Sequence, residues 1–354
     1  IEYMKGLNDL GTVFINKEGH RYCRGSNCEI AYSSVSEVIG KYKIPYNAEY
    51  WSVYKAYQKV LMNRIQAQIP HLSQSGLEKR SKEMMRNSLF EYTSNPNNKC
   101  VINSGENMEA LLYAIKKDNV DIAELEAATM DILDLWKDKK DTSIVKGNMY
   151  HRVREITAIN NGYELNAFDH KRYDLHLDKL AEAYVIEENA HRTLQEALVW
   201  SLDFSEEKRV ITDDPYNDLP DGFYPELMIS DDEYLVAGTA DRIFFETIFG
   251  ERFVDIDDYK TNIDIPKKSF FVRGQGYKMM QYPVENLMDC KHSYYNLQTS
   301  IYAYLLERKG FTVRNVGYHH LNTLNKCEYL RTEAMNVLED FKECKEKINN
   351  KNKI

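Results

Sequence analysis

Two carboxylates and a lysine stand near the ends of two predicted neighbouring strands. The stretch GTADRIFFETIFGERFVDIDDYKTN, residues 238–262, indicates two strands joined by a tight turn near Gly250. Alternate residues of a strand share a face, so one face of the second strand carries Val254, Ile256, Asp258 and Lys260. The same rule predicts one face of the first strand: Ala237, Thr239, Asp241, Ile243 and Phe245. An antiparallel hairpin brings Asp241 and Asp258 together.

These residue types suit phosphodiester chemistry. Two adjacent carboxylates repel, and one takes up a proton unless a cation lies between them. Mg²⁺ is the natural cation for oxygen ligands and phosphates, and Mn²⁺ is its substitute here. A nearby lysine orients or helps to deprotonate water and stabilises charge on a phosphate oxygen. Asp258 and Lys260 alone also suit a solvated strand end, but Asp241, 17 residues earlier, favours the catalytic interpretation.

Two further groups flank this hairpin in the sequence. In GNMYHRVRE, Gly147, His151 and Glu155 are spaced four apart and share a predicted helical face. In NLQTSIYAYLLE, Gln298 and Tyr302 are also four apart. A helix histidine is more often packed than functional, and Gln-x-x-x-Tyr alone carries little information, so these groups gain weight from their order along the chain.

The ordered series resembles a known family. The series His151, Gly238-Thr-Ala-Asp241, Asp258-Tyr-Lys260 and Gln298-x-x-x-Tyr302 resembles the motifs of the RecB-like branch of the PD-(D/E)XK nuclease superfamily. The stretches YSSVSEVIGKYKIPYNAEYW, LWKDKKDTSIVKGNMYHRVRE and SYYNLQTSIYAYLLE resemble phage and large-DNA-virus members. The resemblance covers residues 30–60 and 130–325.

The resemblance implies a role for each matched position. Asp241 and Asp258 are implied metal ligands, with His151 and the backbone carbonyl of Tyr259 as further ligands. Lys260 is the implied catalytic lysine. The implied cofactor is Mg²⁺, or Mn²⁺ in its place.

The helix pair and two glutamates have implied supporting roles. Gln298 and Tyr302 match residues that hold the DNA end or support the lysine. Glu226, in YPELMIS, lies where relatives often keep a glutamate, and Glu155 is a second candidate of this kind.

One position departs from the family pattern. Relatives usually have apolar residues before the acid of the third motif, whereas Asp255 and Asp257 flank Ile256 here. Strand alternation places both on the face opposite Asp258, so we interpret them as non-catalytic. Asp257 is a candidate ligand if the strand bulges.

A basic and aromatic connection follows the active strand. The stretch KTNIDIPKKSFFVRGQGYKMMQY interleaves cations with aromatic residues: Lys267, Lys268, Arg273 and Lys278 with Phe270, Phe271 and Tyr277. Cations can follow phosphates while rings stack on bases, which predicts DNA binding. A solvated loop over core aromatics is the alternative.

Bulk properties set limits on these interpretations. The 354 residues suffice for one large domain with insertions or two smaller ones. The net charge of −9 argues weakly against non-specific nucleic-acid binding, although charge facing a phosphate can be local. We see no secretory signal in IEYMKGLNDL and no membrane-spanning stretch, which predicts a cytoplasmic protein, in the host cytoplasm if a phage encodes it.

Cysteine usage predicts reduced structural thiols. Six cysteines are scattered without a CxxC pair. Related adaptation nucleases carry four cluster-binding cysteines, and the downstream triplet is missing here, so we expect no iron–sulfur cluster.

The coarse pattern predicts an α/β fold. Residues 1–30 are expected to be a short β-rich lead and residues 67–105 have the weakest pattern, with SNPNNK as a loop; residues 211–222 form a second loop. The predicted helices are 33–66 (capped by Ser34 or Ser36 and interrupted at Pro45), 107–137, 142–158, 178–202, 292–309 and 332–349. The predicted strands are 226–229, 234–245, 252–260 and 312–322, the last of them parallel to the third through a helical crossover.

This order matches the restriction-endonuclease-like core of the family: a helix, a three-strand meander, a helix and a strand in a mixed sheet flanked by helices. The expected domains are a mainly helical N-terminal region (1–140), the nuclease core (141–325) and a C-terminal helix (326–354).

The predicted function is metal-dependent hydrolysis of DNA. We expect an exonuclease acting on linear DNA ends in replication, recombination or repair, with possible partners among proteins of those processes, and leaving a 5′-phosphate and a 3′-hydroxyl. The alternatives are a catalytically weak nuclease-fold module that binds DNA ends or protein, a sequence-specific endonuclease, and an enzyme acting on RNA.

Overall fold

The computed structural model describes residues 14–16, 21–24, 28–95, 106–160, 221–262, 264–272, 276–320 and 323–351. The predicted helix 178–202 lies outside these residues. So do nearly all of the predicted loop 211–222 and most of SNPNNK.

The strands and helices alternate along the described chain. The strands are β1 (Phe14–Asn16), β2 (Arg21–Arg24), β3 (Ile30–Ser34), β4 (Gly222–Asp231), β5 (Val236–Ile248), β6 (Glu251–Lys260), β7 (Phe271–Val272), β8 (Gly276–Tyr277), β9 (Thr312–His320) and β10 (Thr323–Cys327). The helices are α1 (Val35–Gly40), α2 (Ala48–Gln68), α3 (Gln74–Ser94), α4 (Met108–Lys117), α5 (Ile122–Asn160), α6 (Lys291–Glu307) and α7 (Arg331–Lys351).

Local sequence explains several of these boundaries. The Ser34 side chain accepts a hydrogen bond from the Glu37 backbone N–H and begins α1, as a Ser N-cap should. Phe249 and Gly250, with φ of 52° and 84°, form the two-residue connection between β5 and β6. Gly310, with φ of 94°, follows the end of α6.

The main sheet is mixed. Its strand order is β1-β2-β3-β5-β6-β9-β10, with β4 also paired to β5. β6 runs antiparallel to β5 and parallel to β9, and α6 is the crossover between β6 and β9. The predicted parallel pairing of the last predicted strand with the active strand is therefore confirmed.

β5 has different neighbours at its two ends. β4 pairs with one edge of β5 from Val236 to Phe245. The other edge pairs with β3 at Val236 and Ala237 and with β6 from Arg242 to Ile248. The four residues 238–241 therefore lie between the part of this edge that pairs with β3 and the part that pairs with β6. We call this place the β5 fork.

Helices cover both faces of the sheet at β6. On one face a core of buried residues joins the sheet to α1, α6 and α7, and it includes Val38, Ile243, Ile256, Leu305 and Phe341. On the other face the rings of Tyr150 and His151 on α5 contact the ring of Tyr259. An α/β fold with a mixed open sheet flanked by helices follows from these contacts.

Residues 45–142 form a second compact unit, and residues 1–44 and 143–354 form the first. The second unit has its own core, built by α2, α3, α4 and the start of α5 and including Tyr57, Leu61, Met85, Leu111 and Ile115. Tyr57 and Ser88 both donate hydrogen bonds to the carboxylate of Asp118 at the end of α4.

Three local predictions differ from the structure. Residues 67–105, expected to have the weakest pattern, contain the regular helix α3, which begins with the Ser73 side chain capping the Gly76 N–H. The sequence predicts helices at 107–137 and 142–158, whereas the structure has α4, a short break and then one continuous α5. α5 continues past Lys140 because the polar residues there include no helix-breaking Gly or Pro. Cys23 and Cys28 form a disulfide, so the prediction of reduced thiols is wrong for this pair.

Candidate active site

Asp241 lies at the β5 fork. One of its carboxylate oxygens accepts a hydrogen bond of 2.6 Å from the Tyr259 backbone N–H. The ladder between β5 and β6 reaches Arg242 and Asp257, so just beyond it the Asp241 side chain takes the place of a strand partner. This contact fixes the carboxylate beside the end of β6, and it leaves Asp241 only 5% exposed.

Asp258 and Lys260 are brought together as alternate residues of β6. The Lys260 ammonium donates to Asp258 Oδ2 and, at 3.3 Å, to Gln298 Oε1 on α6. Asp258 is 2% exposed, so this pair is not a solvated strand end. Gln298 Nε2 in turn lies 3.4 Å from the Tyr302 hydroxyl one turn along the helix.

His151 reaches Asp241 from α5. Its Nδ1 lies 3.0 Å from Asp241 Oδ1, and its ring contacts Tyr259 edge-on at 6.2 Å between centroids. Asp241 thus joins the helix on one face of the sheet to the strand that carries Asp258 and Lys260. The structure brings together the predicted polar side chains of the four motifs: His151, Asp241, Asp258, Lys260, Gln298 and Tyr302.

Strict alternation on β5 is wrong near this site. Ala237 packs with Tyr32, and the Thr239 hydroxyl lies 3.2 Å from the Tyr22 hydroxyl. Ala240 and Ile243, in contrast, belong to one core although their numbers have opposite parity. The predicted common face of Ala237, Thr239, Asp241, Ile243 and Phe245 therefore changes within the fork, where β5 is paired with β4 on one edge only.

Gly238 permits close approach of α6. A Cβ at this position would lie 2.5 Å from Cε1 and 2.8 Å from the hydroxyl of Tyr302. Any side chain here would displace Tyr302, which is itself 3% exposed. The glycine of the Gly-Thr-Ala-Asp segment thus sets the distance between β5 and the helix that carries Gln298.

Tyr295 and Asn262 complete the surroundings of Lys260, and the sequence reasoning missed both. The Lys260 ammonium lies 4.5 Å from the centroid of the Tyr295 ring. The Tyr295 hydroxyl donates to Asn262 Oδ1, and the Asn262 carbonyl oxygen lies 2.6 Å from His320 Nε2. The available signal was the position of Tyr295 three residues before Gln298, one helical turn away on the same face.

Burial and charge shift the ionisation of these groups. Burial, then the neighbouring Asp241 carboxylate, raises the pKa of Asp258 to about 8, although Lys260 opposes the shift. Burial alone would lower the pKa of Lys260, but the charges of Asp258 and Asp241 outweigh it and raise that pKa. The lysine is therefore a cation at neutral pH.

Asp255 and Asp257 lie on the opposite face, as strand alternation predicted. Asp257 lies 3.4 Å from Arg242 Nη1 and 3.6 Å from His319 Nε2. Asp255 forms a 2.6 Å ion pair with Arg314. Both carboxylates already balance positive charge away from Lys260.

The two candidate glutamates are placed by backbone alone. Glu226 lies in β4 between Pro225 and Leu227, whose register partners on β5 are Arg242 and Ala240. Glu155 lies in α5, one turn after His151. The side chains of both glutamates lie outside the described part of the chain.

The donor set at the fork fits a hard divalent cation. Asp241 and Asp258 offer carboxylate oxygens, and burial followed by the charge of Asp241 raises the pKa of Asp258 despite the nearby Lys260. Among the described residues no three His, Cys, Asp or Glu side chains are grouped as a ready metal cluster. Two potential ligand atoms, Asp241 Oδ1 and Oδ2, face His151 and the Tyr259 N–H instead.

The predicted DNA-binding lysines lie in the connection between β6 and α6. Lys267 and Lys268 are exposed before β7, and Lys278 follows β8. Arg273 lies outside the described residues. Across the described chain, no helix has the length and apolar character needed to cross a membrane.

Comparison with protein-family models, curated proteins and solved structures found no match for this chain.

Proposed function

We propose that the chain is a metal-dependent nuclease of the RecB-like PD-(D/E)XK type with a restriction-endonuclease-like core. It hydrolyses DNA phosphodiester bonds, as an exonuclease at linear ends in replication, recombination or repair. The observation that carries the proposal is the meeting of Asp241, Asp258 and Lys260 at the β5 fork, with Gln298 in contact with the lysine. Because these side chains are buried, they are not simply the solvent-exposed charges of a strand end.

Asp241 and Asp258 are the proposed holders of Mg²⁺ or Mn²⁺, with His151 and the Tyr259 carbonyl as further ligands. A bound cation supplies polarisation of a phosphoryl oxygen and a lower pKa for coordinated water. Ionised carboxylates alone would repel a DNA phosphate, and a bound cation would remove that repulsion. His151, next to Asp241, fixes one carboxylate oxygen in position.

Lys260 acts by charge in this proposal. Its raised pKa keeps it protonated at neutral pH, which favours stabilisation of the phosphate over removal of a proton from water. Gln298 and the Tyr295 ring keep the ammonium near Asp258 while a phosphate oxygen approaches. The Tyr302 hydroxyl accepts a hydrogen bond from Gln298 Nε2, and the Tyr302 ring packs against Gly238.

The first test is cleavage of end-labelled DNA. Single-stranded linear, double-stranded linear and closed circular DNA are incubated with Mg²⁺, Mn²⁺ or EDTA. We expect metal-dependent loss of linear DNA only, and a fall of about 10²–10³-fold in Lys260→Ala, the range seen when a preorganised charge-stabilising group is removed. Asp257→Asn is the matched control, because Asp257 belongs to the same strand but faces Arg242.

Each result decides between the candidate functions. Equal cleavage by the wild type and Lys260→Ala, with circular dichroism showing both folded, would refute the proposed site. Cut circles would indicate an endonuclease, and preference for RNA a ribonuclease. DNA binding without cleavage in any metal would support a nuclease-fold binding module.

A further inference from the structure

Three exposed aromatic residues lie on or directly beside a small hairpin that is separate from the main sheet. β7 and β8 pair only with each other among the described strands. Phe270, Phe271 and Tyr277 on or beside this hairpin are 67%, 56% and 37% exposed, and the Phe271 and Tyr277 rings meet edge-on at 5.2 Å. Exposed aromatic residues this near one another on a highly charged chain are typical of a ligand-binding surface.

The base of the hairpin is held firmly. Ile265 before it and Met280 after it are 9% and 4% exposed, and Met280 belongs to the main core. The Lys278 N–H donates to the Phe270 carbonyl at 3.1 Å, and the Asp289 N–H donates to the Lys278 carbonyl at 2.9 Å. The exposed rings therefore extend from an ordered support, so a ligand would find them already placed.

The same segment is connected to the candidate active site by contacts. The backbone N–H of His292, in the first turn of α6, donates to the Pro266 carbonyl at 3.4 Å. The His292 Nδ1 lies 2.8 Å from the Tyr318 hydroxyl, and Tyr318 is the register partner of Asp258 on the adjacent strand. Two residues, His292 and Tyr318, thus connect Pro266 to a proposed metal ligand.

Positive charge accompanies the rings. Lys267 and Lys268 directly precede Ser269 and Phe270 and are exposed. The Lys268 ammonium lies 5.7 Å from the centroid of the Tyr277 ring. Burial lowers the pKa of His292, and the positive charge of Lys267 lowers it further. The sequence 264–278 contains four cations and one acid in a chain of net charge −9. This local excess matches a polyanion.

We infer that the β7–β8 hairpin binds unpaired nucleotides, with bases stacked on Phe270, Phe271 and Tyr277 and phosphates along Lys267 and Lys268. Aromatic faces stack on any base, but the bases of an intact duplex are stacked on one another and do not offer theirs. The substrate strand therefore reaches Lys260 as a single strand or a frayed end. The inference rests on the proposed function only in taking the bound strand to be the strand that is cut.

The test measures binding without cleavage. Fluorescence anisotropy in EDTA compares a labelled oligothymidine with a blunt-ended duplex of equal length at fixed salt. We expect tighter binding of the oligothymidine, and a rise in Kd of about tenfold for Phe270→Ala and again for Phe271→Ala, the scale of one lost base–ring stack. Phe271→Trp should keep the wild-type Kd because it retains a stacking face.

Phe249→Ala is the matched control. Phe249 is a fully exposed phenylalanine in the turn between β5 and β6. This turn lies at the opposite end of β6 from Asp258. Its removal should leave both affinities unchanged. The inference is overturned if Phe270→Ala/Phe271→Ala binds oligothymidine within twofold of the wild type, or if blunt duplex is bound equally well. Either result leaves the cleavage test of the site unaffected.

Discussion

At the scale of single residues, the ammonium of Lys260 is held from three directions. Asp258 and Gln298 accept its hydrogen bonds, and the ring of Tyr295 lies over it. The Tyr295 hydroxyl also binds Asn262, two residues beyond the lysine. Tyr295 is therefore a positioning residue, whose ring and hydroxyl can be tested separately.

Replacing Tyr295 should reduce turnover more than substrate affinity. Tyr295→Leu removes the cation–π contact, worth about 0.5–2 kcal/mol, and we expect kcat to fall by about 2–30-fold with KM nearly unchanged. Tyr295→Phe keeps the ring and loses only the Asn262 hydrogen bond, so its kcat should lie between the leucine variant and the wild type. Steady-state cleavage rates in Mg²⁺ measure both. Equal kcat in Tyr295→Leu and the wild type would contradict this role.

Metal should stabilise the protein in a way that depends on pH and on Asp258. Burial and Asp241 raise the pKa of Asp258 to about 8, so without metal the folded state favours the protonated acid, and this stabilisation is lost as pH rises through about 8. Only the ionised carboxylate binds a cation. We therefore expect Mn²⁺ to raise the Tm more at pH 8 than at pH 5.5, measured by scanning calorimetry.

The control for metal binding is again the neighbouring acid. Asp258→Asn should lose the Mn²⁺-dependent rise in Tm, whereas Asp257→Asn should keep it because Asp257 pairs with Arg242 and His319. An undiminished Mn²⁺ effect in Asp258→Asn would show that the cation binds elsewhere.

At the scale of elements, the distance between β5 and α6 depends on Gly238. Gly238→Ala forces a Cβ into the Tyr302 ring, and we expect a loss of about 1–3 kcal/mol in the free energy of unfolding together with reduced cleavage, since Gln298 belongs to the displaced helix. Urea denaturation measures the first effect and the DNA assay the second.

Gly147→Ala serves as the comparison for that substitution. A Cβ at Gly147 would have Thr261 Oγ1 as its nearest neighbour, at an ordinary 3.7 Å. Gly147 lies inside α5, where alanine favours the helix by about 0.5–1 kcal/mol, so this variant should be as stable as the wild type or more so. Similar losses in both glycine variants would contradict the steric explanation.

The strands and helices of the site were predictable from the sequence only in part. Alternation on β6 placed Asp258 and Lys260 on one face and Asp255 and Asp257 on the other. It held because the register with β9 shifts only between Val254 and Asp255 and is continuous from Asp255 to Lys260. The fork was not predictable, since β3 joins β5 across about two hundred residues of sequence and no local pattern records that pairing. Tyr295 lies one helical turn before Gln298, but its contact with Lys260 is set by tertiary packing and the spacing alone did not identify it.

At the scale of the whole molecule, the positive charge near the site is a local exception. With a net charge of −9, the chain should bind DNA through few phosphate contacts. For single strands the slope of log Kobs against log salt is about −0.7 per neutralised phosphate, so Lys267→Ala/Lys268→Ala should make the slope shallower by about 1.4. Anisotropy titrations from low to moderate KCl measure it.

Lys347→Ala is the control for the salt experiment. Lys347 is exposed and pairs with Glu343 on α7, so its removal should leave the slope unchanged. An equal change in slope for Lys347→Ala would indicate that phosphate contacts are spread over the surface.

The shared edge of β5 also has a consequence for handling the protein. β3 pairs with Val236 and Ala237 through its last two residues, so a shortened chain beginning at Val35 would lose the strand that covers this edge. The bare N–H and C=O groups would then be open to strands of other molecules, and such edges promote aggregation. Trimming the N-terminal strands to aid crystallisation should therefore lower solubility, whereas trimming after Lys351 leaves every described strand in place.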